Sequence, residues 1–124
     1  MEQEPQTIIH QIQFPNDIKC REYLEGLQGE FETHLLQKVS ERTARKHSVI
    51  IGLLIDFLCY DCALKNMNEI TVGQANSYFR SWYNSKIGDA TESEVKTAVK
   101  KFFVFLNTEK GFINEKLMKS FKRK

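Results

Sequence analysis

The stretch from Ser40 to Cys62, SERTARKHSVIIGLLIDFLCYDC, constrains this 124-residue chain more than any other. Its apolar run is too long for an ordinary strand, and Ala44, His47, Ile51, Leu54 and Leu58 recur three and four residues apart. That interval returns to the same side of an α-helix. Ile50, Leu53 and Phe57 widen the stripe, so the helix is expected to be buried against two or more neighbours. Ser40 stands where an N-cap belongs, its hydroxyl placed to accept a first-turn N–H. Gly52 inside such a helix costs ~1 kcal/mol relative to alanine, and close approach of another helix is the expected reason for it. Lys65, Asn66 and Asn68 mark the turn out of the helix.

Before this stretch, residues 7–14 (TIIHQIQF) carry the one strand-like pattern, with Ile8, His10, Ile12 and Phe14 alternating with Ile9, Gln11 and Gln13. A single strand makes no sheet, so an extended arm, or pairing with another chain, is expected. Pro15, Asn16 and Asp17 then read as a helix start, and Ile18, Tyr23, Leu24, Leu27, Phe31 and Leu35 follow at helical spacing. Gly26 and Gly29 are expected to break or bend this helix into two pieces, the second ending near Val39. After the central helix, Thr71 with Gln74 and Thr91 with Glu94 are capping-box pairs, each announcing a helix. The first leads into Val72, Ala75, Phe79, Trp82 and Tyr83, and Ile87-Gly88-Asp89 ends it. The second leads into Val95, Ala98, Val99, Phe102 and Leu106, with Phe103 and Phe105 beside them, and Gly111 ends it. A short last helix is expected from Asn114, with Leu117, Met118 and Phe121 as its apolar side. The fold expected is an all-α bundle of four to five helices with an extended N-terminal arm. Residues 1–26 form the arm and lead-in helix, and residues 27–122 the helical domain.

Length allows one domain with its own core. No apolar run reaches the ~20 residues of a membrane span, and the N-terminus MEQEPQ has the character of neither a secretory signal nor a presequence. Three cysteines without framework spacing point to free thiols in a reducing cytoplasm. Charge is distributed unevenly: residues 1–32 hold seven acids and two bases, residues 114–124 five bases and one acid. An acidic head and a basic tail fit a nucleic-acid footprint, and fit solvated ends equally well.

No catalytic constellation stands out, and no phosphate-binding glycine loop occurs. His10, His34 and His47 lack metal-site spacing, and the C-x-x-C of Cys59 and Cys62 has neither a second pair nor a nearby histidine. No cofactor is expected. His47, on the apolar stripe, reads as a core histidine bonded to a neighbour, and Phe102, Phe103 and Phe105 read as core rather than as base-stacking rings. The basic residues form two ridges. Arg42, Arg45 and Lys46 lie at i, i+3 and i+4, opposite the apolar stripe. Lys96, Lys100 and Lys101, with Thr97, make a comparable patch on the later helix. Cations on two helices can track phosphates, with Thr43, Ser48 or Thr97 adding hydrogen bonds.

SERTARKHSVIIGLLIDFL (40–58), EIT (69–71) and the T…VKKFFVFLNTEKGFI stretch (91–113) together resemble the core-binding domain of tyrosine recombinases, the phage-integrase family. Ser40, Thr43, Ile51, Phe57, Leu58, Ile70, Thr71, Phe102, Phe103, Phe105, Leu106, Gly111 and Ile113 match that domain's pattern in order and in approximate spacing, across roughly residues 27–122. The resemblance implies a SAM-like helical bundle forming one half of a clamp around duplex DNA. It implies that the helices bearing Arg42, Thr43, Arg45 and Lys46, and Lys96, Thr97, Lys100 and Lys101, face that DNA. His47 departs from the family's usual aromatic, and Glu92 and Glu94 place acid beside the second ridge. The family's catalytic arginines, histidines and tyrosine belong to a separate domain that nothing here matches, so no strand cleavage or rejoining is expected. The other expectation is an interaction module of the same fold, self-associating or docking on a neighbouring protomer through Ile8–Phe14 and through Leu117, Met118 and Phe121.

Overall fold

The computed structural model describes residues 17–64, 69–112 and 114–122. Among them are five α-helices: α1 (Asp17–Leu36), α2 (Glu41–Asp56), α3 (Phe79–Lys86), α4 (Glu92–Glu109) and α5 (Glu115–Lys122). The described residues contain no strand, so the bundle is all-α as expected. The arm pattern at 7–14, Pro15 and Asn16, and the turn residues Lys65, Asn66 and Asn68 lie outside the described residues, as does Ile113.

Helix α2 is the centre. Ser40 caps it as its sequence requires, its hydroxyl accepting the Thr43 N–H at 3.1 Å. Ala44, His47, Ile51, Leu54 and Leu58 are all buried, and so are Ile50 and Ile55, which is the wide face of a helix covered from more than one direction. α1 covers one side and α4 the other. At Gly52 the neighbour is α1: a β-carbon there would come within 3.1 Å of the Gln28 amide nitrogen. That amide donates to the Ser48 carbonyl at 2.7 Å, so the glycine makes room for a helix-to-helix hydrogen bond.

Two expectations about the helices are corrected. α1 runs unbroken through Gly26 and Gly29 and through the 26/27 boundary, because Cys20, Leu24, Leu27, Phe31 and Leu35 are buried along one continuous side. Both glycines are exposed with nothing near them, so their propensity cost is outweighed by packing on the opposite face. α2 does not continue as α-helix to Cys62. From Phe57 to Asp61 the chain widens into a π turn, with the Cys62 N–H donating to the Phe57 carbonyl at 2.9 Å. The wider turn lets three successive side chains, Phe57, Leu58 and Cys59, all enter the core. Ala63, at φ 50°, then turns the chain away.

The Thr71–Gln74 box forms with both bonds at 3.0 Å, leads into a second π-helical stretch (Gln74–Tyr78), and continues as α3. Gly88 (φ 73°) ends that element in the left-handed region, with the Tyr83 hydroxyl donating to Asp89 at 2.5 Å across the turn. Thr91 and Glu94 complete the box at the start of α4, and Gly111 (φ 74°) closes its end. Asn114 caps α5 by accepting the Leu117 N–H at 3.2 Å.

Aromatic rings join these elements. Phe31 of α1 meets Phe102 and Phe105 of α4 at centroid distances of 5.2 and 5.6 Å. Phe103, one residue on, meets Phe112 at 6.2 Å and stacks on Phe121 of α5 at 6.0 Å. Phe57, Phe79 and Trp82 form a second group where the π turn meets α3. Phe102, Phe103 and Phe105 are therefore core. Leu117 is buried, and Met118 and Phe121 pack on the core, so the terminal stripe expected as a docking element is engaged within its own chain.

The cysteines are the largest correction. Cys20 of α1 and Cys59 of the π turn form a disulfide across 39 residues, with their α-carbons 5.9 Å apart, inside the ordinary range for such a bond. Cys62 is the one free thiol, half-buried. The expectation of free thiols in a reducing compartment rested on unpaired cysteines and loses that ground.

Candidate nucleic-acid interface

The two basic ridges belong to helices that pack on one another. Arg42, Arg45 and Lys46 are exposed on α2, and Lys96, Thr97 and Lys100 are exposed on α4, with Lys101 half-buried. The seam between them is marked by His47, whose electrostatic neighbours are Lys46 on its own helix and Lys101 and Glu94 on α4. The structure therefore joins the ridges at Lys46 and Lys101.

The eight residues are not equally free. Arg45 holds Glu41 one turn back at 2.6 Å. Lys46 reaches across the seam to Glu94 at 2.6 Å. Glu94 thereby does two things: one carboxylate oxygen accepts the Thr91 N–H at 2.9 Å in the capping box, and the other accepts from Lys46. The Lys46 hydrogen bond, reinforced by Thr91, holds its carboxyl below the usual range. The Thr43 hydroxyl accepts from Ser40 at 3.0 Å, which ties it to the cap. Arg42, Lys96, Lys100 and Lys101 have no ion pair among the described residues. The sequence showed the ridges but not this division, because Lys46 and Glu94 are 48 residues apart.

A residue absent from the expected set joins them. Lys38, in the link between α1 and α2, lines a groove of about 680 Å³ together with Thr97, Lys100 and Lys101. Phe31, Leu35 and Phe105 form its floor, and Val104 stands 36% exposed on its wall. Nothing in the helical periodicity marks Lys38, since it lies past the last turn of α1. Ser48 is buried, its hydroxyl accepting from Gln28 at 3.2 Å, and is unavailable to a ligand.

His47 is in the core, as expected, but its Nδ1 has no hydrogen-bond partner, contrary to the expectation of a bonded neighbour. Burial, followed by the charges of Lys101 and Lys46, holds its imidazole below the ordinary value, against a smaller pull from Glu94. The unfolded chain thus takes up this proton more readily than the folded one. Stability is full above the unfolded value of about 6.5 and is lost as pH falls towards the depressed folded value. Urea unfolding from pH 7.5 down to 5 is expected to show this loss, and His47→Gln should flatten it. An NMR titration of the folded chain that placed His47 at or above about 6.5 would contradict the assignment.

Among the described residues no cluster of three or more His, Cys, Asp or Glu is placed to hold a metal, and no helix is long and apolar enough to cross a membrane. No family model, curated protein or solved structure matches this chain.

Proposed function

We propose that the chain is a non-catalytic DNA-binding module, of the kind that serves tyrosine recombinases as a core-binding domain, contacting duplex DNA mainly through phosphates. The observation that carries this reading is the set of cations Lys96, Lys100 and Lys101 along two turns of α4, with Arg42 on the neighbouring α2, none of which has an ion pair among the described residues. Flexible ammonium groups bind phosphate oxygens as point charges and read little sequence. At the start of α4 the capping box already takes up the Thr91 and Glu94 N–H groups. The ordered resemblance to the recombinase domain supports the same reading.

Binding of a duplex of about 20 base pairs should fall steeply with salt. Four phosphates neutralised give a log–log slope of about −3.6. Lys100→Glu with Lys101→Glu should flatten the slope by about 2 units and weaken low-salt binding roughly ten- to hundredfold. Glu94→Gln, which leaves an amide able to cap but frees Lys46, should strengthen binding several-fold. Absence of binding to any duplex at low salt, or a double variant that binds as the native chain does, would overturn the reading.

The alternative, an interaction module that keeps the fold without strong DNA binding, loses one of its two docking elements to the core. What favours it is the apolar groove beside Lys100 and Lys101.

A further inference from the structure

Arg80 belongs to neither basic ridge, and its surroundings are unlike theirs. Among the described residues its side chain makes one ion pair, to Glu92 at 3.6 Å, which is beyond hydrogen-bonding distance. Its Nε is buried and has no hydrogen-bond partner. A guanidinium stays charged and carries five donors, so one held only 22% exposed without a fixed acceptor calls for an explanation. It stands in a cleft of about 280 Å³ between α3 and the start of α4. Phe79 and Tyr83 are buried in the core, and Ser77, Ser81 and Asn84 lie beside Arg80 along the cleft. Their spacing of three and four residues keeps them on one side of the helix. Tyr83 lines the cleft too, but its hydroxyl is donated to Asp89.

We propose that this cleft binds a phosphate group, with the Arg80 guanidinium on part of its oxygens and the Ser77, Ser81 and Asn84 side chains on the rest. A guanidinium, two hydroxyls and an amide offer more donors than the two oxygens of a carboxylate take up. Glu92 is a carboxylate already within reach, and it leaves Nε unmatched. Oxygens in a tetrahedral array suit such a donor set better. The volume lies just under the ~300 Å³ at which small-molecule sites begin, which fits one phosphate or the phosphate end of a larger molecule. Glu92 opposes an anion here, but its side chain is 76% exposed and has water to turn into. The cleft also has a place relative to the second ridge. Glu92 begins α4, with Lys96 one turn on and Lys100 two, so Arg80 stands at the head of that row. From Glu92 to Lys100 is about 12 Å at 1.5 Å per residue, a length over which one DNA strand carries three to four phosphates at ~3.4 Å each. On the DNA-binding reading above, and resting on it, the group bound is a phosphate of the duplex backbone; a free phosphomonoester offers the same chemistry.

The test uses the full chain, with inorganic phosphate added at constant ionic strength while nitrogen–proton NMR spectra follow the backbone amides and the Arg80 Nε–H. Phosphate is expected to shift the Arg80 signal and the amides of residues 77–84, and acetate to leave them in place. Arg80→Gln should weaken this binding about tenfold or more. Ser81→Ala with Asn84→Ala, both at exposed positions, should weaken it about threefold and keeps the test decisive if Arg80→Gln does not fold. Glu92→Gln should tighten it about two- to fivefold, and Glu109→Gln, at the far end of α4, should not change it. Absence of these shifts in the native chain, equal shifts with acetate, or binding that ignores the Arg80 and Ser81/Asn84 substitutions overturns the proposal. Low-salt duplex binding then separates the two sources. For a backbone phosphate, Arg80→Gln should weaken duplex binding and flatten its salt slope by about 0.9. Phosphate binding lost in Arg80→Gln while duplex binding and slope stay as in the native chain supports the site and assigns it to a free phosphomonoester. Phosphate shifts in a chain that binds no duplex at all refute the DNA reading and leave the site standing.

Discussion

Phe103→Ala will cost about 3–5 kcal/mol of stability, the largest effect expected of a single side-chain truncation in this chain. Phe103 is fully buried, and its ring is the point at which α4 holds the rest of the chain's end. It touches Phe102 edge-on at 5.5 Å, Phe112 in the segment after α4 at 6.2 Å, and Phe121 of α5 at 6.0 Å. Removing it deprives three rings of a neighbour at once, and the cavity can collapse only by moving elements that the Gly111 turn and the Asn114 cap hold in place. Domains of this size have about 5–15 kcal/mol in hand, so the variant stands near the edge of folding. Urea unfolding should show a midpoint shifted by that amount, and hydrogen exchange should show α5 opening before α2. Val104→Ala, at the next residue but exposed, is the control, expected to stay within about 0.5 kcal/mol of the native chain. A Phe103→Ala chain within about 1 kcal/mol of native would mean that α5 is not tied to the core as described.

Much of this architecture is local in origin and so is legible in sequence. The stripe from Ala44 to Leu58, the Ser40 cap, the boxes at Thr71 and Thr91 and the glycine stops at Gly88 and Gly111 each depend on residues within one or two turns. Gly52 was legible as a close approach, though not that Gln28 is the group approaching. The misreadings arise where local preference and tertiary packing disagree. Gly26 and Gly29 disfavour helix locally, yet the buried row of Leu24, Leu27, Phe31 and Leu35 carries the helix past them. The π turn at Phe57 has no signature apart from three consecutive large or apolar side chains, which a straight helix could not all bury. The site divides in the same way. Periodicity finds the ridges, but which cations are neutralised depends on Glu41 one turn away, which is legible, and on Glu94 across the seam, which is not. Lys38 joins only because the end of α1 faces α4 in space.

The cysteine pair is the most non-local feature of all, and breaking it is the second large effect expected. Closing a loop of about 40 residues removes unfolded-state entropy worth about 4 kcal/mol at 25 °C in the chain-entropy account. For 124 residues that corresponds to a fall of roughly 10–15 °C in the unfolding midpoint for Cys20→Ser. The bond ties α1 to the π turn, so its loss should be felt at the start of α1 more than at the end, where Phe31 and Leu35 are held independently by α4. Cys62 lies three residues beyond Cys59 and offers a rival partner, but its thiol is poorly suited to attack. Burial, and then the charge of Asp61, raise it above the ordinary thiol value, against a smaller lowering by Gln74. Little thiolate is present at neutral pH to displace Cys20. Alkylation of the unfolded chain should modify one thiol without reduction and all three after it. Reductant should lower the native midpoint to that of Cys20→Ser and leave the variant unmoved. A native chain with three alkylatable thiols, or one whose midpoint ignores reductant, would show that α1 is held by packing alone.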